Sequence, residues 1–259
     1  MASDREPVRF VTASAVRSEV VTKLGESRVP TQSLLETLDA STSAVYSSLS
    51  ELEQRGLIRS AEEGWELTGS GRLVADMVRQ RERYGHLFGD MEEYLQTHDT
   101  TPLPRALRLR IGALAGGDVL YAPERAPNRA VEEVSNRLGR AETARVVSPI
   151  YVESYAEATF DAPRSRIVLD EEVVPRARDA SSVPEGGYEF VETRVAEVDF
   201  ALGVTGSEVL LSLPTLDGSY DAQSEVIAEH APARRWGEDL FERYWRRGVP
   251  IDQFANASE

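Results

Sequence analysis

The chain has 259 residues and no cysteine, so it is long enough for two domains, and a disulfide framework, a thiolate zinc site and a cysteine nucleophile are excluded. Its net charge of −15 runs against the basic footprint usual in nucleic-acid binders. Lys23 is its sole lysine, and an acidic, lysine-poor composition suits a halophilic protein, whose self-repulsion is screened in molar salt.

In such salt the counterion-release attraction to DNA is largely lost, and affinity rests on groove fit, dehydration and hydrogen bonds. The acidity therefore weighs little against a DNA-binding function. No apolar run approaches membrane-spanning length, and the opening MASDREPVRF has no signal-peptide core. A cytoplasmic protein with no membrane partner is expected.

Val8 to Leu24 is predicted as a first helix, with Phe10, Val16, Val20, Val21 and Leu24 as its apolar set. A loop follows, and Pro30-Thr31 marks the next helix start. The stretch from Thr31 to Thr68 then divides into four pieces. A short amphipathic run (Leu34, Leu35, Leu38) leads into a turn at Asp39-Ala40-Ser41. A second helix sets Val45, Leu49 and Leu52 at i, i+4 and i+7 on one face, and Gly56 stops it. Leu57-Ile58-Arg59 and Gly64 to Thr68 form a two-stranded hairpin. This order of elements is a winged helix-turn-helix, whose second helix enters the DNA major groove.

The second helix carries the candidate DNA contacts. Ser41 suits its N-cap, and Thr42, Ser43, Tyr46, Ser47 and Ser50 lie on outward faces with no acid before Glu51. Short hydroxyls and a tyrosine suit phosphates and base edges. Arg55 and Arg59, at the helix end and the wing, are placed to neutralise phosphates.

A long helix is predicted from about Arg72 to Gln96, completing a first domain over residues 1–96. Met77, Tyr84 and Met91 recur every seven residues, as do Val74, Phe88 and Leu95 with Arg81 interrupting. That stripe is either a homodimer seam or a face packed on its own domains. Arg79, Arg81 and Arg83 form a solvated face or meet phosphates. THDTTPLP (Thr97 to Pro104) is the expected boundary.

Residues 105–259 alternate short apolar strands with helices. A Gly-rich turn precedes an edge strand near Tyr121. A helix over Asn128 to Leu138, strands at Ala144–Ser148 and Arg166–Leu169, and a turn or helix from Tyr151 follow. Asp170-Glu171-Glu172 opens a short helix, and Tyr188 to Glu192 alternates as a half-buried strand. A hairpin joins Phe200–Val204 to Val209–Leu213, and a helix over Ala231 to Arg247 buries Trp236, Leu240, Phe241 and Tyr244. The whole is a two-domain α+β, α/β fold: winged helix-turn-helix, long connecting helix and α/β sensor-like domain.

The run from Phe200 to Ile251 carries a family resemblance. Its features are the strand Phe200-Ala201-Leu202-Gly203-Val204, a second strand, the turn residues Asp217, Gly218, Tyr220 and Asp221, and Trp236-Gly237-Glu238 ahead of Leu240, Phe241 and Tyr244. In these it resembles the end of archaeal winged helix-turn-helix transcriptional regulators of the methanogenesis-regulatory-protein type, common in haloarchaea and methanogens. Arg145 to Pro149 is similar too. The resemblance implies a regulator whose C-terminal domain senses a ligand or sets assembly.

Enzyme chemistry has little support. His86, His98 and His230 are scattered without metal-ligand spacing, and there is no P-loop, Gly-x-Ser-x-Gly or Gly-x-Gly-x-x-Gly. The acidic pairs read as solvated surface, and neither metal nor cofactor is expected. Because α/β sheets bind ligands at the carboxyl ends of their strands, Ser148, Tyr151 and Asp170 are candidates to line a crevice for a small-molecule effector, with Tyr155 and Tyr220 as walls. The bland alternative makes the serine a cap and the tyrosines core. Two functions follow: a dimeric regulator of double-stranded DNA with a sensing domain, or a winged-helix protein–protein adaptor in a transcription or chromosome-organising complex.

Overall fold

The computed structural model describes residues 6–25, 27–161, 164–179 and 191–257. The chain forms two compact units, Met1–Gly85 and His86–Glu259.

The first unit opens with two helices where one was expected. Helix α1 (Pro7–Thr12) ends at Ala13, and α2 (Ala15–Leu24) restarts behind Ser14, whose Oγ accepts from the Arg17 amide. The apolar period runs across the break, so periodicity alone hides it. After α3 (Thr31–Thr37), Ser41 caps α4 (Thr42–Gln54) by accepting from the Ala44 amide. Gly56, at φ +67°, ends α4, and the Leu57 amide reaches back to the Leu52 carbonyl.

Strands β1 (Ile58–Ala61) and β2 (Gly64–Leu67) pair antiparallel. Val29 adds a bridge to Trp65, giving the wing a third pairing partner. Gly64 sits at φ +135° with its α-carbon against the Val29 carbonyl, where a Cβ would collide at 2.3 Å. Beneath the wing, Val20, Leu34, Val45, Leu49, Leu52 and Ile58 form a single core.

Helix α5 (Gly69–Asp90) starts three residues before the expected Arg72, and it stops short of Gln96. A separate α6 (Glu92–Thr97) follows. The predicted seven-residue stripe is split accordingly. Val74 and Met91 are buried, whereas Met77 and Phe88 stand 53% and 55% exposed, and Leu73 beside the stripe is 69% exposed.

THDTTPLP is part of the second unit and no free linker. His98 bridges Thr215, the Asp99 amide donates to the Pro214 carbonyl, and Leu103 is buried. After α7 (Arg105–Arg108) and a 3-10 turn (Ile111–Leu114) the chain builds a mixed eight-stranded sheet. In chain order its elements are β3 (Asp118–Tyr121), α8 (Arg129–Gly139), β4 (Ala144–Ser148), α9 (Glu153–Asp161), β5 (Arg166–Leu169), α10 (Val174–Asp179) and β6 (Glu192–Val195). Then come β7 (Ala201–Thr205), β8 (Val209–Ser212), β9 (Ser224–Ala228), α11 (Ala231–Arg247), β10 (Val249–Pro250) and α12 (Ile251–Ala257).

The strand order is β10-β6-β5-β4-β7-β8-β9-β3, so the predicted edge strand β3 does lie at an edge. Pairs β4–β5 and β5–β6 are parallel and the other pairs antiparallel. Every residue of β8 and β9 is buried, as in a strand covered on both faces. On one face Leu138 of α8 packs on Gly203; on the other Gly237 of α11 meets Val204 and Val209. Most of the strand expected at Tyr188 to Glu192 lies outside the described residues, and β6 begins at its last member.

Candidate functional site

Two sets of residues carry the candidate chemistry, one in each unit. On α4 the cap and the core stripe fix which side chains face out. Val45, Ser48, Leu49 and Leu52 are buried, which turns Thr42, Ser43, Tyr46, Ser47 and Ser50 to solvent. Tyr46 is 53% exposed. Ser41 Oγ lies 3.1 Å from Ser43 Oγ, Ser47 donates to Glu51, and Ser50 accepts from Gln54. Apart from these local bonds the first two turns present hydroxyls and one phenol, with no carboxylate.

Glu51, the first acid, is neutralised where it stands. Arg17 donates to it at 2.5 Å, and Arg17 also lies 4.0 Å from the Phe10 ring centre. Arg55, expected to meet phosphate, is exposed and has its guanidinium 3.7 Å from the centre of that same ring. The stacking makes Arg55 a pin between α1 and the end of α4.

Arg59 does reach out from the wing, its side chain 70% exposed, while Nε donates to Glu66 at 2.7 Å. Arg28, which sequence reasoning passed over, meets the other oxygen of Glu66 at 3.0 Å. Hydrogen bonds from Arg28 and then Arg59 hold the Glu66 carboxyl below the usual carboxylate range. The two guanidiniums offset this one acid, while Glu62 and Glu63 at the turn between the strands leave the hairpin negative overall. The signal for Arg28 was its place one residue before Val29, the third pairing partner.

In the second unit, β4 is the strand at which pairing changes from parallel to antiparallel, and its carboxyl end is Ser148. Two small adjoining hollows, of about 30 and about 20 Å³, open there and share Val146, Ser148 and Tyr155. Tyr151 and Thr159 line the first, and Tyr220 and Glu225 the second. Four of the five predicted ligand residues thus come together. Asp170 does not join them. Its two oxygens accept from the Glu172 and Val198 amides at 2.9 Å each, so it closes a turn. Ser148 Oγ also serves locally, donating to the Ile150 carbonyl.

Glu225 is the residue sequence reasoning missed, because in so acidic a chain an isolated glutamate carries no signal. It is 5% exposed in the middle of β9. Burial, and then the neighbouring Asp221, push its carboxyl well above the usual carboxylate range. Burial likewise raises the phenols of Tyr155 and Tyr220, with the charge of Glu225 adding to both.

Beside it, His98, Asp221 and Ser224 form a buried polar cluster. His98 Nε2 is 3.1 Å from Asp221 Oδ2, and Ser224 donates to that same oxygen at 2.5 Å. His98 Nδ1 faces the Tyr94 carbonyl and Thr97, and its ring stacks on Tyr94 at 3.8 Å. In a nucleophilic triad the imidazole separates serine from carboxylate, one on each nitrogen. Here both sit on one nitrogen, so the cluster ties α6 to the turn before β9. Among the described residues no group of three or more His, Cys, Asp or Glu is arranged to hold a metal ion.

These features define a helical unit closed by a two-stranded hairpin and a mixed α/β sheet unit with a small phenol-lined pocket. Residues 127–247 match the family model described as the middle domain of methanogenesis regulatory protein FilR1, and residues 5–84 match the HVO_A0261 N-terminal domain. The chain is 20% identical to methanogenesis regulatory protein FilR1 of Methanothrix harundinacea (strain 6Ac), over 95% of this chain and 58% of that protein. It therefore spans somewhat more than half the length of this curated relative. The matches support a regulator of that type. Among solved structures, the archaeal chromatin protein TrmBL2, described as showing a novel mode of DNA binding, aligns at a TM-score of 0.41 and 13% identity, over 89% of this chain and 91% of that one. A phospholipase D family member from Salmonella typhimurium aligns at 0.40 and 14% identity, over 52% of this chain and 96% of that one.

Proposed function

We propose that the protein is a transcriptional regulator that binds double-stranded DNA through α4 and the wing, acts as a homodimer, and senses a small molecule through its sheet unit. The observation that carries this reading is the exposed face of α4: Thr42, Ser43, Tyr46 and Ser47 stand together with no acid among them, in a chain where acids outnumber bases 44 to 29. Acids are excluded from one surface of a strongly acidic protein where that surface must approach phosphate. The regulatory name of the matched relative supports it. In this reading the effector shifts the population between two spacings of the recognition helices in the dimer.

Binding to duplex DNA, followed by fluorescence anisotropy, tests the assignment. Tyr46→Ala or Ser43→Ala is expected to cost about 1–3 kcal/mol of discrimination between cognate and random sequence, with the fold intact by circular dichroism. Arg59→Ala is expected to weaken both sequences alike and to lower the salt slope by about one. Unchanged discrimination in both α4 variants would move the recognition surface elsewhere. Absence of DNA binding by the unsubstituted protein at every salt concentration would favour the adaptor function instead.

A further inference from the structure

The pocket beside β4 has a charge character that narrows what it can hold. Among the described residues no lysine, arginine or histidine lines either hollow; the ionisable groups on the walls are Glu225 and tyrosines. The groups around Glu225 are themselves acidic: Asp221, bonded to His98, and the phenols of Tyr94, Tyr155 and Tyr220. The remaining wall is apolar, with Val146, Ile167 and Leu169 on the sheet side. An anion entering here would meet Glu225 with no cationic group on the described walls to offset it. A neutral guest would leave the acid as it is and add only apolar contact. A cation with a short apolar body would satisfy the carboxylate, the electron-rich ring faces and the aliphatic wall together.

We propose that this pocket binds a small organic ammonium ion, its charged head against Glu225 and its alkyl part among Val146, Ile167 and Leu169. The assignment deepens the sensing role proposed above and depends on it only for any effect on DNA. Because burial and Asp221 favour the neutral acid, taking up the cation releases a proton from Glu225. Affinity therefore rises with pH until Glu225 is ionised in the free protein. The hollows are small, so the guest has few carbons, and the ring of Tyr155, which lines both, must move aside to join them.

The test is calorimetric titration of the full chain, without DNA, using n-butylammonium, the neutral isostere n-butanol and the anion butyrate. Saturable binding of butylammonium at least about ten-fold tighter than butanol is expected, since a hydrogen bond to a charged group contributes about 1.5–3 kcal/mol. Butyrate is expected not to bind. Glu225→Gln, which keeps shape and hydrogen bonding, is expected to abolish the preference for the cation while melting no lower than the parent. Equal affinity for butanol and butylammonium, or undiminished cation binding by a folded Glu225→Gln variant, would overturn the proposal. A parallel DNA titration separates the two ideas. Cation binding with no change in DNA affinity keeps the pocket and removes the sensing role; no cation binding beside intact sequence-specific DNA binding removes the pocket and keeps the regulator.

Discussion

Glu225 shows how one residue's surroundings outweigh its place in the sequence. Its carboxyl is raised in the folded chain above the ordinary value of 4.5. The folded state therefore holds a proton that the unfolded state gives up above about pH 4.5, and stability falls as pH rises from there through the folded-state value. Glu225→Gln removes the titration, so the variant should gain stability over the parent progressively with pH above 4.5, and match it below. Urea melts between pH 4 and pH 9 check this; a difference independent of pH would mean that Glu225 titrates alike in the folded and unfolded chain. At this scale the sequence was legible where a side chain acts on its own helix, as with Ser41 and Gly56. It was not legible where the role depends on a distant partner. Arg55 on Phe10, Asp170 on the Val198 amide and Glu225 beside Asp221 all belong to that second kind.

Elements were legible where local chemistry and periodicity agree. Helix α4 has both a cap and a stop, and α11 begins and ends where its apolar stripe does. The two missed breaks, at Ala13-Ser14 and at Met91, fall inside continuing apolar periods. At the second, Asp90 leaves the helix to accept from the Gly116 amide at 2.8 Å, a bond that no local pattern announces. Strand β9 was passed over because Ser224 and Glu225 break an apolar run, although both are buried. Close packing of elements rests on glycines the sequence only hints at. A Cβ on Gly237 would sit 2.7 Å from Val209 and 3.1 Å from Val204, pressing α11 off the sheet. Gly237→Ala is expected to destabilise the sheet unit by about 1–3 kcal/mol, the usual cost of overpacking, read from urea midpoints. An unchanged midpoint would show that α11 and the hairpin separate freely.

For the whole molecule, the alternation of strands and helices made the α/β sheet legible, whereas strand order was not, since it depends on pairings such as β3 with β9 across the chain. The acidic composition raises the question of how such a chain approaches DNA, and the proposed solution is local: the first two turns of α4 carry no acid, and Glu51 beyond them is paired with Arg17. Dimerisation belongs to this scale too. Met77, from the predicted stripe, and Leu73, one turn before it, are exposed on α5 and are proposed to meet a second copy. Leu73→Glu with Met77→Glu is expected to turn a dimer into a monomer by light scattering and to weaken binding to a two-half-site operator far more than to one half-site. A dimer that survives both substitutions would place the interface elsewhere.

The most direct test of the central claim is selection of genomic DNA fragments by the purified chain in molar KCl, run beside its Tyr46→Ala variant. Recurrent fragments with two half-sites spaced by about 10–10.5 base pairs or a multiple are expected, absent from the variant's selection. Enrichment of the same fragments by the variant, or of none by either protein, would contradict it.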